Sequence, residues 1–366
     1  MMNTTLMFLL VFAIGCIAAA WHFMVHKDLR IAIGGGIMIL ILTVGGFYGG
    51  VAGVAADTEI LSGQITGKTR KHDTYEHTYD CNCKQVKECS GSGSKRTCST
   101  REKCETCSET HYTVKWEAQS TIGNFKIDDK DSTSRLVYTY PDPPRWMDIQ
   151  KGDPAAKTHT YMNYVQATET SLFKKDAKAE QARFAKLIPP YPDQIYDLYK
   201  INRFLSPGYS VADAKEWNLD IGNMLRDLGY QKQVNAIVVI AKTDDAMYEH
   251  ALATAWEGAN KNDVVLVIGS KAWPKIDFVR VISWSTSTLF SIQLRDEVLA
   301  LGEINRAQIM KALELNIRKS FVRKQMKEFE YLSAEIQPPT WGIIMIAAII
   351  ASMAGGMVLM SRRRYH

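Results

Sequence analysis

Six cysteines form the densest group of reactive side chains in the chain. They fall within 27 residues, at Cys81, Cys83, Cys89, Cys98, Cys104 and Cys107. An even set of closely spaced cysteines in an oxidising compartment is typical of disulfides that hold together a segment with few apolar side chains. Val86 is the one sizeable aliphatic residue between the first and last of them. The spacing therefore predicts up to three disulfides and leaves their pairing open.

The same segment also offers the ligands of a zinc site. The patterns His-x3-Cys-x-Cys and Cys-x2-Cys-x3-His supply two ligand pairs, and thiolate and imidazole are suitable donors for tetrahedral zinc. Cysteine clusters in reducing compartments tend to bind metal, so the compartment decides between the two chemistries. We expect disulfides and no cofactor; the alternative is zinc at His77, Cys81, Cys83, Cys104, Cys107 and His111.

Three carboxylates, Asp244, Asp245 and Asp277, follow or precede predicted strands. Ligands of α/β proteins collect at strand ends, and a metal such as zinc or calcium held there would support hydrolysis of a phosphate ester. Paired acids after a strand also commonly begin a helix. Because no GxSxG, HExxH, Walker or kinase motif occurs, these three are weak catalytic candidates and we expect no enzymatic activity.

Three apolar segments occur in the chain, at 1–25, 31–56 and 341–360. As membrane helices they would determine on which side of a membrane the cysteines and carboxylates lie. The second contains no charged residue, and about 20 apolar residues suffice for a helix to cross a bilayer. Small residues recur at helical spacing in the second and third segments, which allows helices to approach closely. We expect helix packing and a possible homo-oligomer through Gly45, Gly49, Gly53, Ala347, Ala351 and Gly355.

Basic residues predict which side of the membrane each segment faces, because they resist translocation. Lys27 and Arg30 lie between the first two apolar segments, and three arginines follow the third, whereas Asp57 and Glu59 follow the second. The pattern places the N-terminus and residues 57–340 in the periplasm and the C-terminus in the cytoplasm of a bacterial inner membrane.

The polar middle of the chain divides into three predicted parts. Residues 57–152 form a cysteine-rich β module, with strands at 62–69, 111–118 and 135–140, and residues 153–216 form a helical connector with a helix at 171–186. Residues 217–331 form an α/β domain. In it, apolar runs at 234–241 and 263–268 flank a helix at 246–259, which predicts two parallel strands. A strand at 278–284 returns antiparallel, and helices follow at 289–301 and 306–331.

The order of these α/β elements resembles the TPM domain, a thylakoid-lumen-phosphatase-like fold of membrane-anchored proteins. The resemblance covers about 217–329 and rests on strands at 237–240 and 262–267, the helix at 251–256 and the position before a C-terminal apolar segment. It implies either phosphatase or accessory functions. The family's doubled Asp with Arg and its Gly-x-Gly-Leu-Glu turn are replaced here by 271–277 and 284–287. Phosphatase activity is therefore the alternative rather than the first hypothesis.

A second resemblance concerns the cysteine-rich part. The stretches 77–83, 104–111, 144–146 and 161–164, with Trp116 and Gly123, resemble membrane proteins encoded by tailed phages and prophages. That resemblance implies a viral origin without implying a reaction.

The charge of the chain limits the classes of molecule that it can bind. The net charge is only +5 and no long basic stripe occurs, so we expect no nucleic-acid binding. We expect an α+β membrane protein with three transmembrane helices, a disulfide-rich β module and an α/β TPM-like extracytoplasmic domain. The first functional hypothesis is a phage-encoded accessory or envelope factor that contacts the lipid bilayer and a protein partner in the cell envelope. A metal-dependent periplasmic phosphatase and a structural component of the virion are the alternatives.

Overall fold

The computed structural model describes residues 4–26, 29–90, 97–127, 142–168, 178–196 and 201–363. Contacts divide the chain into two compact units, one made of Met1–Ser62 with Lys157–His366 and the other of Gly63–Ala156. Lys27, the predicted strand at 135–140 and most of the first half of the helix predicted at 171–186 lie outside the described residues.

Two N-terminal helices precede a mixed series of strands and helices. The helices are α1 Thr4–His26, α2 Leu29–Ala55, α3 Pro144–Asp148, α4 Tyr164–Ala167, α5 Lys178–Phe184, α6 Ala214–Lys232, α7 Met247–Ala255, α8 Thr288–Leu299, α9 Arg306–Ser320 and α10 Thr340–Arg363, with a 3-10 helix at Met326–Glu335. The strands are β1 Ala56–Ser90, β2 Thr97–Ser120, β3 Phe125–Lys126, β4 Pro154–Met162, β5 Phe204–Leu205, β6 Asn235–Ala241, β7 Asp263–Gly269 and β8 Phe278–Ser283.

Two helices are long and apolar enough to cross a membrane, at Met7–Val25 in α1 and Ile33–Ala55 in α2. The count among the described residues rises to three if Met326–Glu335 and Thr340–Met353, which meet at a bend of 56°, make one span. Helices α1, α2 and α10 all pack against one another. Gly15 is the point where α1 approaches Ile39 of α2 and Ile350 of α10.

Packing within this bundle uses a different face from the predicted one. Among the described residues, no other part of the chain lies within 4 Å of where a side chain would begin at Gly45, Gly49, Gly53 or Gly355. Ala351 is exposed and Ala347 half-buried, whereas the buried positions of α10 are Ile343 and Ile350. Ile346 packs onto Gly46, and Pro338 packs onto Gly50. Because α2 is apolar on all sides, its sequence does not indicate which glycine row receives a neighbour.

The α/β domain contains a four-stranded sheet in the order β5-β6-β7-β8. Strands β5, β6 and β7 are parallel and β8 is antiparallel to β7, so the predicted crossover and antiparallel return are confirmed. Every residue of β6 and β7 is buried. Apolar side chains of α6, α8 and α9 cover one face of the sheet, and those of α5 and α7 cover the other.

The predicted single helix at 306–331 is wrong, because the chain leaves the helix after Ser320. Phe321 is fully buried with an extended backbone, and the Val322 N–H donates to Ser285 Oγ at 3.2 Å. A helical continuation would remove Phe321 from the core. The 3-10 helix begins only at Met326.

The second unit is built on an antiparallel sheet in the order β3-β2-β1-β4. Strand β1 begins at the residue after α2 ends and continues for 35 residues. Its outer part pairs with β2 from Ile65↔Ser120 to Ser90↔Thr97. The buried side chains are confined to the base of this pair, at Ile65, Val114, Trp116, Ala118, Ile127 and Ile149.

Candidate functional site

The outer parts of β1 and β2, residues 71–90 and 97–115, form a two-stranded antiparallel ribbon, called the β-ribbon below. Strand β3 pairs only with Glu117 and Ala118, and the backbone of Gly152 and Asp153 bonds to Ile65, so neither flanking strand reaches it. Within the described residues, both outer edges of the β-ribbon are therefore unpaired. At about 3.3 Å per residue, it is about 60 Å long.

Disulfides cross-link the middle of the β-ribbon. Cys81 bonds to Cys107 and Cys83 bonds to Cys104, and the second of these bonds lies within a register shift between Cys81 and Lys84. Asn82 occupies the shift with a φ of 49°, which asparagine tolerates better than most residues, and its amide donates to Glu105 at 3.0 Å. Cys89 is also disulfide-bonded, and Cys98 lies opposite it in the strand register. The prediction of disulfides is confirmed for the five cysteines whose side chains are described.

These cross-links replace the core that the β-ribbon lacks. An isolated two-stranded hairpin is marginally stable in water. A disulfide that closes a loop of this size, with 26 residues between Cys81 and Cys107 in sequence, contributes about 3 kcal/mol by constraining the unfolded chain. Two ion pairs lie at the base. Lys115–Asp73 at 2.8 Å is exposed and adds less than about 1 kcal/mol, and in Lys71–Glu117 at 2.9 Å the lysine is exposed whereas Glu117 is half-buried.

The surface of the β-ribbon is polar and of mixed charge. None of the side chains described between Lys71 and Cys89 or between Ser99 and Thr110 is buried. The β-ribbon carries six Lys or Arg residues and seven Asp or Glu residues. Among its described side chains, the exposed large apolar ones are Tyr79 and Val86, at 42% and 38% exposure. Such a surface suits neither insertion into lipid nor binding to a polyanion.

The alternative zinc site has no free thiolate in this structure. Cys81, Cys83, Cys104 and Cys107 are all in disulfides, and zinc binding needs deprotonated thiols. His77 lies opposite Glu109 and stacks on Tyr79, and the side chain of His111 lies outside the described residues. The one described group of three metal-type ligands, Cys83, Glu102 and Cys104, contains a disulfide.

The three carboxylates predicted at strand ends are engaged by neighbouring residues. Asp244 accepts from Lys271 at 2.8 Å, and Asp277 accepts from Lys275 at 2.9 Å and from the Lys271 N–H at 2.7 Å. These contacts lower the pKa of both carboxyls. Asp245 accepts a hydrogen bond from the Met247 N–H at 2.9 Å. Because α7 begins at Met247, this carboxylate satisfies a backbone donor at the start of the helix.

A buried ion cluster around Glu59 was not predicted by the sequence. The Glu59 side chain is completely buried, and both of its oxygens lie 2.5 Å from Arg323. His159 Nδ1 lies 3.0 Å and Lys261 Nζ 3.6 Å from the same carboxylate. Burial lowers the pKa of Lys261, while the charge of Glu59 opposes this shift. The cluster joins the start of β1 to the segment between α9 and the 3-10 helix.

A second buried polar network lies at the amino ends of β6 and β7. The Asp263 carboxylate accepts from Asn235 at 2.8 Å, Tyr191 at 2.7 Å and the Asn260 N–H at 2.8 Å. Burial raises the pKa of Asp263 to about 6 against the effect of these donors. Arg203, whose pKa burial lowers to about 10, donates to Asn235 and to Ser62.

Tyr161 connects a further acid, Asp57, to this network. The Tyr161 hydroxyl donates to Asp57 at 2.8 Å, and burial, followed by the charge of Asp57, raises the pKa of that phenol. Each of these polar groups has a partner, so the arrangement is suited to holding the residues after α2 in place rather than to binding a substrate. No sequence motif marks it, because its members are 100 residues or more apart in several cases.

No protein family, curated protein or solved structure matches this chain. The resemblances to the TPM domain and to phage membrane proteins therefore stay predictions.

Proposed function

We propose that this protein is a membrane-anchored docking protein whose β-ribbon recognises a protein partner outside the cytoplasm. The observation that carries the proposal is a disulfide-stapled ribbon with two unpaired strand edges and no buried side chain in its described outer part. A segment that buries no side chains in a core does not stabilise the fold by packing, so we expect its function to be contact with another molecule.

The strand edges suggest how the partner binds. Unpaired backbone N–H and C=O groups accept an additional strand, and exposed side chains on alternate positions then supply specificity. The near-balanced charge of the β-ribbon argues against a lipid surface or a nucleic acid as the partner. We therefore expect a protein with an extended segment or an open sheet edge.

The proposed location is a bacterial inner membrane, with α10 as a third span. Residues 57–340 and the N-terminus lie in the periplasm in this proposal, and the C-terminus lies in the cytoplasm. Disulfides persist in the periplasm and are rare in the cytosol, which supports this orientation. A membrane-impermeant maleimide should label a single additional cysteine introduced on the β-ribbon from the periplasmic face only, because the native cysteines described there are in disulfides. An added protease should likewise cut the β-ribbon from that face only.

A photo-crosslinking experiment tests the docking function in the full chain. A photoreactive amino acid at Tyr79 or Val86 should crosslink to one defined protein, and the same amino acid at Tyr230, which is 57% exposed on α6, should not. The matched variant replaces 86–101 with Asn-Gly, which removes the outer ribbon with Cys89 and Cys98 but retains both described disulfides.

The shortened variant should insert into the membrane normally and lose the crosslinked product from Tyr79. Retention of that product by the shortened variant, or equal products from Tyr79 and Tyr230, would refute the docking proposal. Mass spectrometry of purified phage particles distinguishes an accessory factor from the alternative of a virion component.

A metal-dependent phosphatase is the second candidate function, favoured only by the position of Asp244 and Asp277 at one edge of the sheet. A metal would have to displace Lys271 and Lys275 from these carboxylates. Hydrolysis of an aryl phosphate with magnesium, calcium or zinc, lost in Asp277→Ala, would establish that activity.

A further inference from the structure

The carboxyl ends of the three parallel strands meet at one edge of the α/β sheet, and each is followed by an exposed or half-buried polar or aromatic residue. Tyr209 follows β5, Asp244 follows β6, and Lys271 and Trp273 follow β7. Ligands of α/β proteins bind at this edge, outside the carboxyl ends of the strands. The docking proposal does not use any of these residues.

Trp273 is the prominent feature of the edge. Its side chain is 39% exposed, and its indole N–H donates to no protein group within the described residues. The Tyr209 ring meets it edge-on at 5.5 Å, and the Tyr209 hydroxyl donates to the Ser270 carbonyl at 2.8 Å. Because Lys242 lies over the Tyr209 ring at 5.5 Å, Trp273 is the aromatic side chain that remains available to a ligand.

The loop that carries Trp273 is held on both sides by backbone bonds. The Ile304 N–H donates to the Pro274 carbonyl at 2.7 Å, and the Lys275 N–H donates to the Ala272 carbonyl at 2.9 Å. The Lys271 N–H donates to Asp277 at 2.7 Å. A tryptophan on such a preorganised loop loses little conformational entropy on binding, which is a property of interaction hot spots.

Two ion pairs flank the indole, Lys271–Asp244 at 2.8 Å and Lys275–Asp277 at 2.9 Å. Three of these four side chains are more than half exposed: Lys271, Lys275 and Asp244. Together they present hydrogen-bond donors and acceptors while their charges cancel. Vicinal hydroxyl groups of a ligand can donate to these carboxylates and accept from the ammonium groups.

We infer that this edge binds a neutral glycan, with one pyranose ring stacked on Trp273 and its hydroxyl groups bonded to Asp244 and Lys271. The C–H face of a pyranose is apolar and matches the face of an indole ring, and the hydroxyl groups around its rim match the paired charges.

Isothermal titration of the full chain tests this, in a detergent without a sugar headgroup and with chitotetraose, cellotetraose and maltotetraose as probes. At least one should bind with a Kd below about 1 mM, a typical threshold for weak specific binding. Trp273→Ala should weaken it at least about tenfold, because the stacking surface is removed. Asp244→Ala should weaken it severalfold, and Tyr230→Ala should leave it unchanged.

Trp273→Phe should restore part of the affinity, which a loss through misfolding would not show. The inference is overturned if none of the three probes binds at about 10 mM, or if Trp273→Ala and Tyr230→Ala bind equally. It is also overturned if a protein crosslinks at this edge, Trp273→Ala removes that crosslink, and the oligosaccharides do not compete with it. All of these outcomes are independent of whether the β-ribbon docks a protein.

Discussion

Replacing Glu59 with glutamine should destabilise the first unit strongly. The substitution keeps the shape of the side chain but removes the one carboxylate that both Arg323 and Lys261 contact. Those two side chains are only 12% and 10% exposed, so water cannot replace the lost anion. Breaking a buried ion pair by removing one partner costs about 3–5 kcal/mol.

Thermal unfolding of the full chain in detergent measures this effect. For a domain of this size, 1 kcal/mol corresponds to about 2–4 °C, so Glu59→Gln should lower the Tm by about 6–20 °C. The loss should shrink as the pH rises, because Lys261 has a lowered pKa that falls further without Glu59, and its neutral form needs no counter-ion.

Glu314→Gln is the matched control. Glu314 pairs with Arg318 at 2.9 Å across one helical turn, and both side chains are nearly half exposed. Exposed pairs of this kind contribute less than about 1 kcal/mol, so its Tm should change by less than about 4 °C. Equal Tm values for Glu59→Gln and Glu314→Gln would show that the cluster is not a buried ion pair, and the reasoning would fail.

Three further predictions follow from other contacts. The Tm of wild type minus that of Asp263→Asn should rise as the pH falls from about 6 toward about 4. The reason is that the pKa of Asp263 is raised to about 6 in the folded state, so the folded state binds the proton more tightly than the unfolded chain does. A Tm difference that does not change with pH would contradict this. The double variant Cys81→Ser, Cys107→Ser should be cut faster by trypsin within the β-ribbon, as mapped by peptide mass, whereas Cys16→Ser, which lies in α1, should not. Gly46→Leu should lower the Tm by an amount equivalent to about 1–3 kcal/mol because it collides with Ile346, while Gly49→Leu faces open space and should act only on oligomer size in detergent.

The sequence predicts those parts of the fold that have a local pattern. The runs at 234–241 and 263–268 are apolar and β-branched throughout, which is how fully buried parallel strands differ from their surroundings. The outer β-ribbon has polar residues on both faces, so it shows no alternation that would indicate a strand, and only its base at 111–118 was predicted. The end of α9 is set by the burial of Phe321, which depends on packing rather than on a helix-stop signal.

The Glu59 cluster was missed for a different reason, which also explains its role. Glu59 and Arg323 are 264 residues apart in sequence. Glu59 alone indicates an ordinary charge after an apolar segment, and Arg323 alone indicates a solvated cation on the helix predicted at 306–331. Their contact fixes the first residues after α2 to the chain that leads into the 3-10 helix and α10. Because β1 continues from α2 without a loop, whatever holds Glu59 also holds the first residues of β1. Burying charges to join two segments costs free energy, and apolar residues of similar volume are often as stabilising, so a buried ion pair is favoured mainly where the two segments must be held in one register.

Replacing Glu59 and Arg323 together by methionine should therefore restore much of the stability lost in Glu59→Gln. If the double variant stayed as unstable as Glu59→Gln, the two charges would contribute more than an apolar pair of similar volume, which would contradict this expectation.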